Sequence, residues 1–133
     1  MTDHSYNAST SNTWYIDSGA SSHMTGACEM FSELSQTETD VEVVLGDDSA
    51  IRAVGRGTIT FQRESMSPMV LRDVLYVPGL KKNLVSLSMI EDQILGVSFL
   101  DKHVHMFPKT VGLSASVVIG ARCGKLYRLL FQP

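Results

Sequence analysis

The sequence predicts an all-β domain, a sandwich or small closed barrel with one short helix. Short apolar runs that alternate with polar residues recur along the chain, only one segment has a helical period, and clusters of Gly, Pro, Asp and Ser separate the runs. The length, 133 residues, is that of one domain. With 44% hydrophobic and 19% charged residues, the composition is globular rather than disordered. Eleven Lys+Arg against 14 Asp+Glu leave a net charge of −3. No direct nucleic-acid binding is expected, because such binding runs on clustered Lys and Arg. No run approaches the ~18 apolar residues of a membrane span. The polar start of the chain also lacks an apolar signal core, so the expected location is cytoplasmic, away from membranes. Asn7-Ala8-Ser9 matches a glycosylation acceptor, without expected consequence because no secretion is expected.

The elements follow in order. Residues 1–12 read as a flexible tail or linker of Ser, Thr, Asn and charge, with one domain over 13–133. Thr13-Trp14-Tyr15-Ile16 is a short run of strand formers. Asp40 to Leu45 alternates, with Val41 and Val43 on one face. Gly46-Asp47-Asp48-Ser49 is a turn signal before Ala50 to Val54, which makes a hairpin. Gly57 to Arg63 and Met69 to Val77 are further strands, the second ended by Pro78-Gly79. Leu84, Leu87 and Ile90 stand at i, i+3, i+6 and predict a helix over 83–92 with Asn83 as its N-cap. Strands are expected at Gly96 to Leu100, His103 to Phe107, Ala115 to Ile119 and Lys125 to Phe131, eight to ten in all.

Cys28 and Cys123 make neither a C-x-x-C pair nor a zinc-knuckle spacing, so reduced thiols are expected. His103-x-His105 would put two imidazoles on one strand face, and His23 could join them. The spacing points to no full ligand set, so no metal or other cofactor is expected.

The chemistry concentrates in Trp14-Tyr15-Ile16-Asp17-Ser18-Gly19-Ala20-Ser21. An apolar strand runs into an acid, a hydroxyl and a glycine. Water is scarce at the end of such a strand, and desolvation makes a carboxyl a usable proton donor or acceptor. Gly19 lacks a Cβ, so a substrate or another backbone can approach, and Ser18 can hold the loop by hydrogen bonds. A plain Asx or Ser turn after a strand fits the same tripeptide.

The wider frame resembles a known family. Trp14 to Thr25 (WYIDSGASSHMT) is similar to the active-site segment of the Gag-Pol aspartic proteases of copia-type long-terminal-repeat retrotransposons. Val43-Val44-Leu45-Gly46-Asp47 and Gly55-Arg56-Gly57 match the family's central region. Leu71 to Leu80 with Asn83-Leu84-Val85-Ser86 matches its later block, and Gly124-Lys125-Leu126-Tyr127 its join to the following segment. The resemblance covers roughly residues 13–130. It implies a retropepsin-like closed β-barrel active as a homodimer, which cuts extended segments of its own Gag-Pol polyprotein in virus-like particles. Aspartic proteolysis needs two carboxyls sharing one proton. A chain with one Asp-Ser-Gly must find the second in a twin, which places Asp17 on a two-fold axis. By motif position Asp17 is catalytic, and Ser18, Gly19 and Ala20 form the active-site loop. Ser18 would bond across the dimer and Gly19 would offer its carbonyl to substrate.

The hairpin around Leu45, Gly46, Asp47, Asp48 and Ser49 is the expected flap over substrate, with an ordinary solvated hairpin as the competing reading. Its acids depart from the uncharged flaps of retroviral relatives. Many of those relatives carry an acid two positions after the signature glycine, where this chain has Ser21, a weaker anchor for substrate backbone. His23 and Met24 belong to the signature, and His23 reads as a loop-fixing residue or a pH sensor. Two other functions fit less of the sequence: a catalytically inactive or domesticated dimerisation or polypeptide-binding module, and a metal hydrolase using His23, His103 and His105.

Overall fold

The computed structural model describes residues 13–36, 41–44, 48–63, 67–91 and 95–133. The segment read as a tail, 1–12, lies outside them, as do Leu45, Gly46 and Asp47 of the expected flap. The strands are β1 (Trp14–Asp17), β2 (Met24–Thr25), β3 (Glu33–Ser35), β4 (Glu42–Val44), β5 (Ala50–Arg52), β6 (Gly55–Phe61), β7 (Met69–Tyr76) and β8 (Asn83–Ser86). After the helix α1 (Leu87–Glu91) come β9 (Leu95–Leu100), β10 (His103–Pro108), β11 (Val117–Cys123) and β12 (Leu126–Leu129). Two short 3₁₀ turns, Cys28–Met30 and Leu113–Ala115, complete the set. No helix among the described residues is long and apolar enough to cross a membrane.

Ten strands form one ladder in the order β3-β6-β7-β2-β8-β1-β12-β11-β10-β9, and β4 and β5 form a separate hairpin. The all-β expectation holds, but the expected closure does not. The ladder is open, ending at β3 and β9. Barrel closure needs a continuous register between the end strands, whereas here β9 to β12 extend the sheet past β1 as an antiparallel meander. One isolated bridge, Gln62 to Gln132, draws the end of β6 toward the chain terminus.

The helix expected over 83–92 begins only at Leu87. Asn83–Ser86 is instead a strand, parallel to β1 from Trp14↔Asn83 to Asp17↔Ser86 and antiparallel to β2 at Met24↔Leu84. A strand enclosed on both edges satisfies its backbone in two ladders, and here Asn83, Val85 and Ser86 are all buried. That outweighs a helical spacing of three leucine-type residues. Gly124 (φ +64) closes the β11–β12 hairpin in the left-handed region, which moves the predicted strands to 117–123 and 126–129. Asp101 and Lys102, both at positive φ, make the β9–β10 turn, where the Arg122 N–H donates to the Lys102 carbonyl at 2.8 Å.

The main core gathers Trp14 and Ile16 of β1 with Ile59, Phe61, Val85, Val104 and Ile119. Trp14 meets Phe61 edge to face, ring centroids 5.2 Å apart. A smaller cluster of Met24, Ala53, Leu75 and Val77 supports the β4–β5 hairpin through Val41, Val43 and Ile51. As the alternation predicts, Val43 is turned inward and Glu42 and Val44 outward.

A polar cross-link lies beside these clusters. The Thr25 hydroxyl donates to Asn83 Oδ1 at 2.6 Å, and Asn83 Nδ2 donates to the Thr13 carbonyl at 2.9 Å. Thr25 and Asn83 are buried, so each bond removed exposes a group that water cannot reach. Asn83→Ala is expected to lower unfolding free energy by about 2 to 3 kcal/mol. The measurement is urea unfolding, with a lower midpoint at unchanged slope; an unchanged midpoint would mean that the cross-link does not hold β2 to β8.

Candidate active site

The site follows from one topological fact. β1 and β2 are consecutive in the chain, yet β8 lies between them in the sheet. The connection, residues 18–23, must therefore arch over the C-terminal end of β8, where Ser86 pairs with Asp17. Ser86 holds the arch at both ends. Its hydroxyl donates to the Ala20 carbonyl at 2.7 Å, and its backbone N–H donates to His23 Nδ1 at 2.8 Å. Since that hydroxyl proton is used on Ala20, Ser88 is the donor in the 3.0 Å Ser86–Ser88 contact. Ser86 Oγ also accepts the Met89 N–H at 3.3 Å, which makes it the N-cap of α1 in place of the predicted Asn83.

His23 is the loop-fixing residue. It is 1% exposed, and its acceptor role at Nδ1 leaves the proton on Nε2. Burial lowers its pKa from 6.5 to about 4, against a smaller opposing pull from the Asp73 carboxylate. The imidazole is therefore neutral at pH 7. Among the described residues, no three His, Cys, Asp or Glu side chains gather as a metal site. Cys28 and Cys123 are free and exposed.

Asp17 is half-buried at the end of β1, followed by exposed Ser18 and Gly19. The Gly19 N–H donates to Asp17 Oδ1 at 2.7 Å, orienting the carboxylate. A Cβ at Gly19 would stand 3.3 Å from that same oxygen, so the glycine supplies clearance beside the acid. The Ser18 hydroxyl has no partner among the described residues and stands free.

Asp17 lines two clefts that also share Leu84. One, about 420 Å³, lies toward β12 and includes Ser18, Leu87 and Tyr127. The other, about 340 Å³, brings Gly19, Ala20 and Ser21 opposite Val41 and Val43 of β4. The structure thus joins the predicted loop Asp17, Ser18, Gly19 and Ala20 to the base of the predicted flap. Asp48 and Ser49 are exposed beyond that base, Asp48 at φ +66. Sequence reasoning missed Ser86. Its signal was its place in the later block, but its partners Ala20 and His23 lie 63 or more positions away and no local pattern marks them.

Residues 14–95, more than half of the chain, match the family described as Pol polyprotein, beta-barrel domain. Two curated relatives from Arabidopsis thaliana are similar. The retrovirus-related Pol polyprotein from transposon RE1 is 34% identical over 57% of this chain and 5% of its own length. The corresponding polyprotein from transposon RE2 is 36% identical over 61% of this chain and 5% of its own length. The chain thus spans about one twentieth of these relatives. No solved structure gives a significant match.

The buried His23 makes a pH prediction. Its pKa is lower folded than unfolded, so the unfolded chain binds the proton first as pH falls. The stability that neutral His23 permits is full above pH 6.5 and is lost as pH drops toward 4, by on the order of 3 kcal/mol. Urea unfolding across that window should show the decline. His23→Asn, whose Oδ1 can accept the Ser86 N–H without titrating, should flatten it. A wild-type curve no steeper than the variant's would contradict the assignment.

Proposed function

The chain belongs to the Pol polyprotein β-barrel domain family, and on that premise we propose that it is the aspartic endopeptidase of a copia-type retrotransposon, retropepsin-like in fold and active as a homodimer. The observation that carries this reading is Asp17 itself: a carboxylate at a strand end, oriented by the Gly19 N–H, where two clefts meet. The loop around it is held at Ala20 and His23, so the acid sits on a fixed support rather than on a mobile turn.

A single chain supplies half of a carboxyl dyad. In the proposed dimer two Asp17 carboxyls share one proton. The ionised one takes a proton from a water held between them, and that water attacks the peptide carbonyl. The protonated one polarises the carbonyl oxygen. The tetrahedral intermediate collapses when a proton reaches the leaving nitrogen, with no covalent link to the enzyme. The free, exposed Ser18 hydroxyl is available to bond across the two-fold axis, as the resemblance implies. Gly19 offers its carbonyl to the substrate backbone, and the β4–β5 hairpin acts as the flap over an extended segment of the Gag-Pol polyprotein. Ser21 faces the same cleft with a neutral hydroxyl, so substrate anchoring there lacks a charge-assisted bond. Processing inside virus-like particles would supply the high local concentration a dimer needs.

Incubation of the cognate Gag-Pol precursor at mildly acidic pH tests this. Wild type is expected to cut, and Asp17→Asn, equal in shape but without the titratable proton, is expected to lose activity by at least about a thousandfold. Activity should fall faster than linearly on dilution, because the active species is a dimer. Equal cleavage by both proteins would remove Asp17 from catalysis. Binding of precursor segments without cleavage from pH 4 to 8 would favour a non-enzymatic module.

A further inference from the structure

We propose that the cleft between β1, β8 and β12 is a subsite that selects an acidic side chain of the polypeptide substrate, with Lys82 and Lys125 as the residues that read it. The inference rests on the endopeptidase reading above and adds the chemical class of one substrate position.

The cleft is about 420 Å³, ample for a Glu side chain, and Asp17 forms part of its wall. Tyr15, Phe99 and Tyr127 give it aromatic sides, with Phe99 and Tyr127 edge to face at 4.9 Å. Lys82 and Lys125 stand on its lining, both exposed. The Lys82 ammonium lies 5.8 Å from the centre of the Tyr15 ring, within reach of a cation–π contact. Neither lysine is paired with a carboxylate among the described residues. Apart from Asp17, no acid lines the cleft. Two unneutralised cations over an apolar floor fit the methylenes and the carboxylate of Glu.

The neighbouring cleft has the opposite character. Met24, Val41, Val43 and Leu80 line it, Glu42 joins them, and no cation does. An extended peptide points successive side chains to opposite faces. A chain crossing Asp17 therefore offers one side chain to the basic cleft and a neighbour to the apolar, acid-flanked one, which repels a carboxylate. The chain as a whole carries a charge of −3, so long-range attraction does not draw an acidic peptide to it. Any acidic preference must come from the cleft itself. Because both lysines are exposed, the discrimination is modest, about three- to tenfold between Glu and Gln, and it shrinks as salt rises.

The test uses short extended peptides of Ala, Val and Leu with one position at a time set to Glu, Gln or Lys. Cleavage by wild type and binding to Asp17→Asn, read by fluorescence anisotropy, are measured in parallel. One position should prefer Glu over Gln and Gln over Lys, more weakly in high salt. Lys82→Glu/Lys125→Glu should invert the order to favour Lys. Each ratio is read within one protein, so partial loss of folded material cannot imitate an inversion. If the reversed protein does not fold, Lys82→Met/Lys125→Met keeps the stems and should bring the ratios near one. Equal handling of Glu, Gln and Lys at every position, or a Glu preference that survives the charge change, overturns the subsite while leaving the endopeptidase intact. Cleavage of nothing by wild type, with binding ratios still ordered by charge, overturns the endopeptidase and keeps the subsite. Neither cleavage nor binding of any peptide overturns both.

Discussion

The placement of β8 between β1 and β2 is the constraint on which the rest depends. Two strands joined by a short connection would normally pair with each other. Here a strand from far along the chain separates them, so the connection crosses the end of that strand. The crossing puts Ser86 under the signature loop, and one residue then fixes three things. Its hydroxyl holds the Ala20 carbonyl, its amide holds the His23 ring, and its side chain caps α1. The catalytic candidate gains its rigidity from this junction rather than from its own turn.

The polar groups that make the crossing are costly to bury, and each has a partner. Asn83 spans from Thr25 to the Thr13 carbonyl. His23 stays neutral because burial disfavours its charged form, and as a neutral ring it can accept a backbone proton. The arrangement makes the loop sensitive to acid through His23.

The two clefts that meet at Asp17 differ in charge because different elements build them. The β11–β12 turn and the segment before β8 bring lysines to one, and β4 with the residue before it brings valines and Glu42 to the other. Under two-fold symmetry each cleft would occur twice, so a substrate would meet the same alternation on both sides of the scissile bond.

Much of this was legible in the sequence. The β strands at 14–17, 69–76, 95–100 and 103–108 follow from alternation and β-branched or aromatic content, and Asp17-Ser18-Gly19 follows from an apolar run ending in an acid. These are local properties, set by side-chain period and turn chemistry within a few residues. The segment 83–86 was not legible, because Leu84, Leu87 and Ile90 satisfy a helical period equally well, and only pairing with β1 and β2 chooses the strand. Barrel closure was not legible either, since it depends on register between strands distant in sequence. Ser86, His23 and the two lysines acquire their roles only when residues 15–23, 82–86 and 125–127 are brought together. The sequence by itself determined the all-β class, most of the longer strands and the acid that ends the first of them. The tertiary structure alone decided what supports that acid and what charge surrounds it, because those depend on contacts between segments that no local period records.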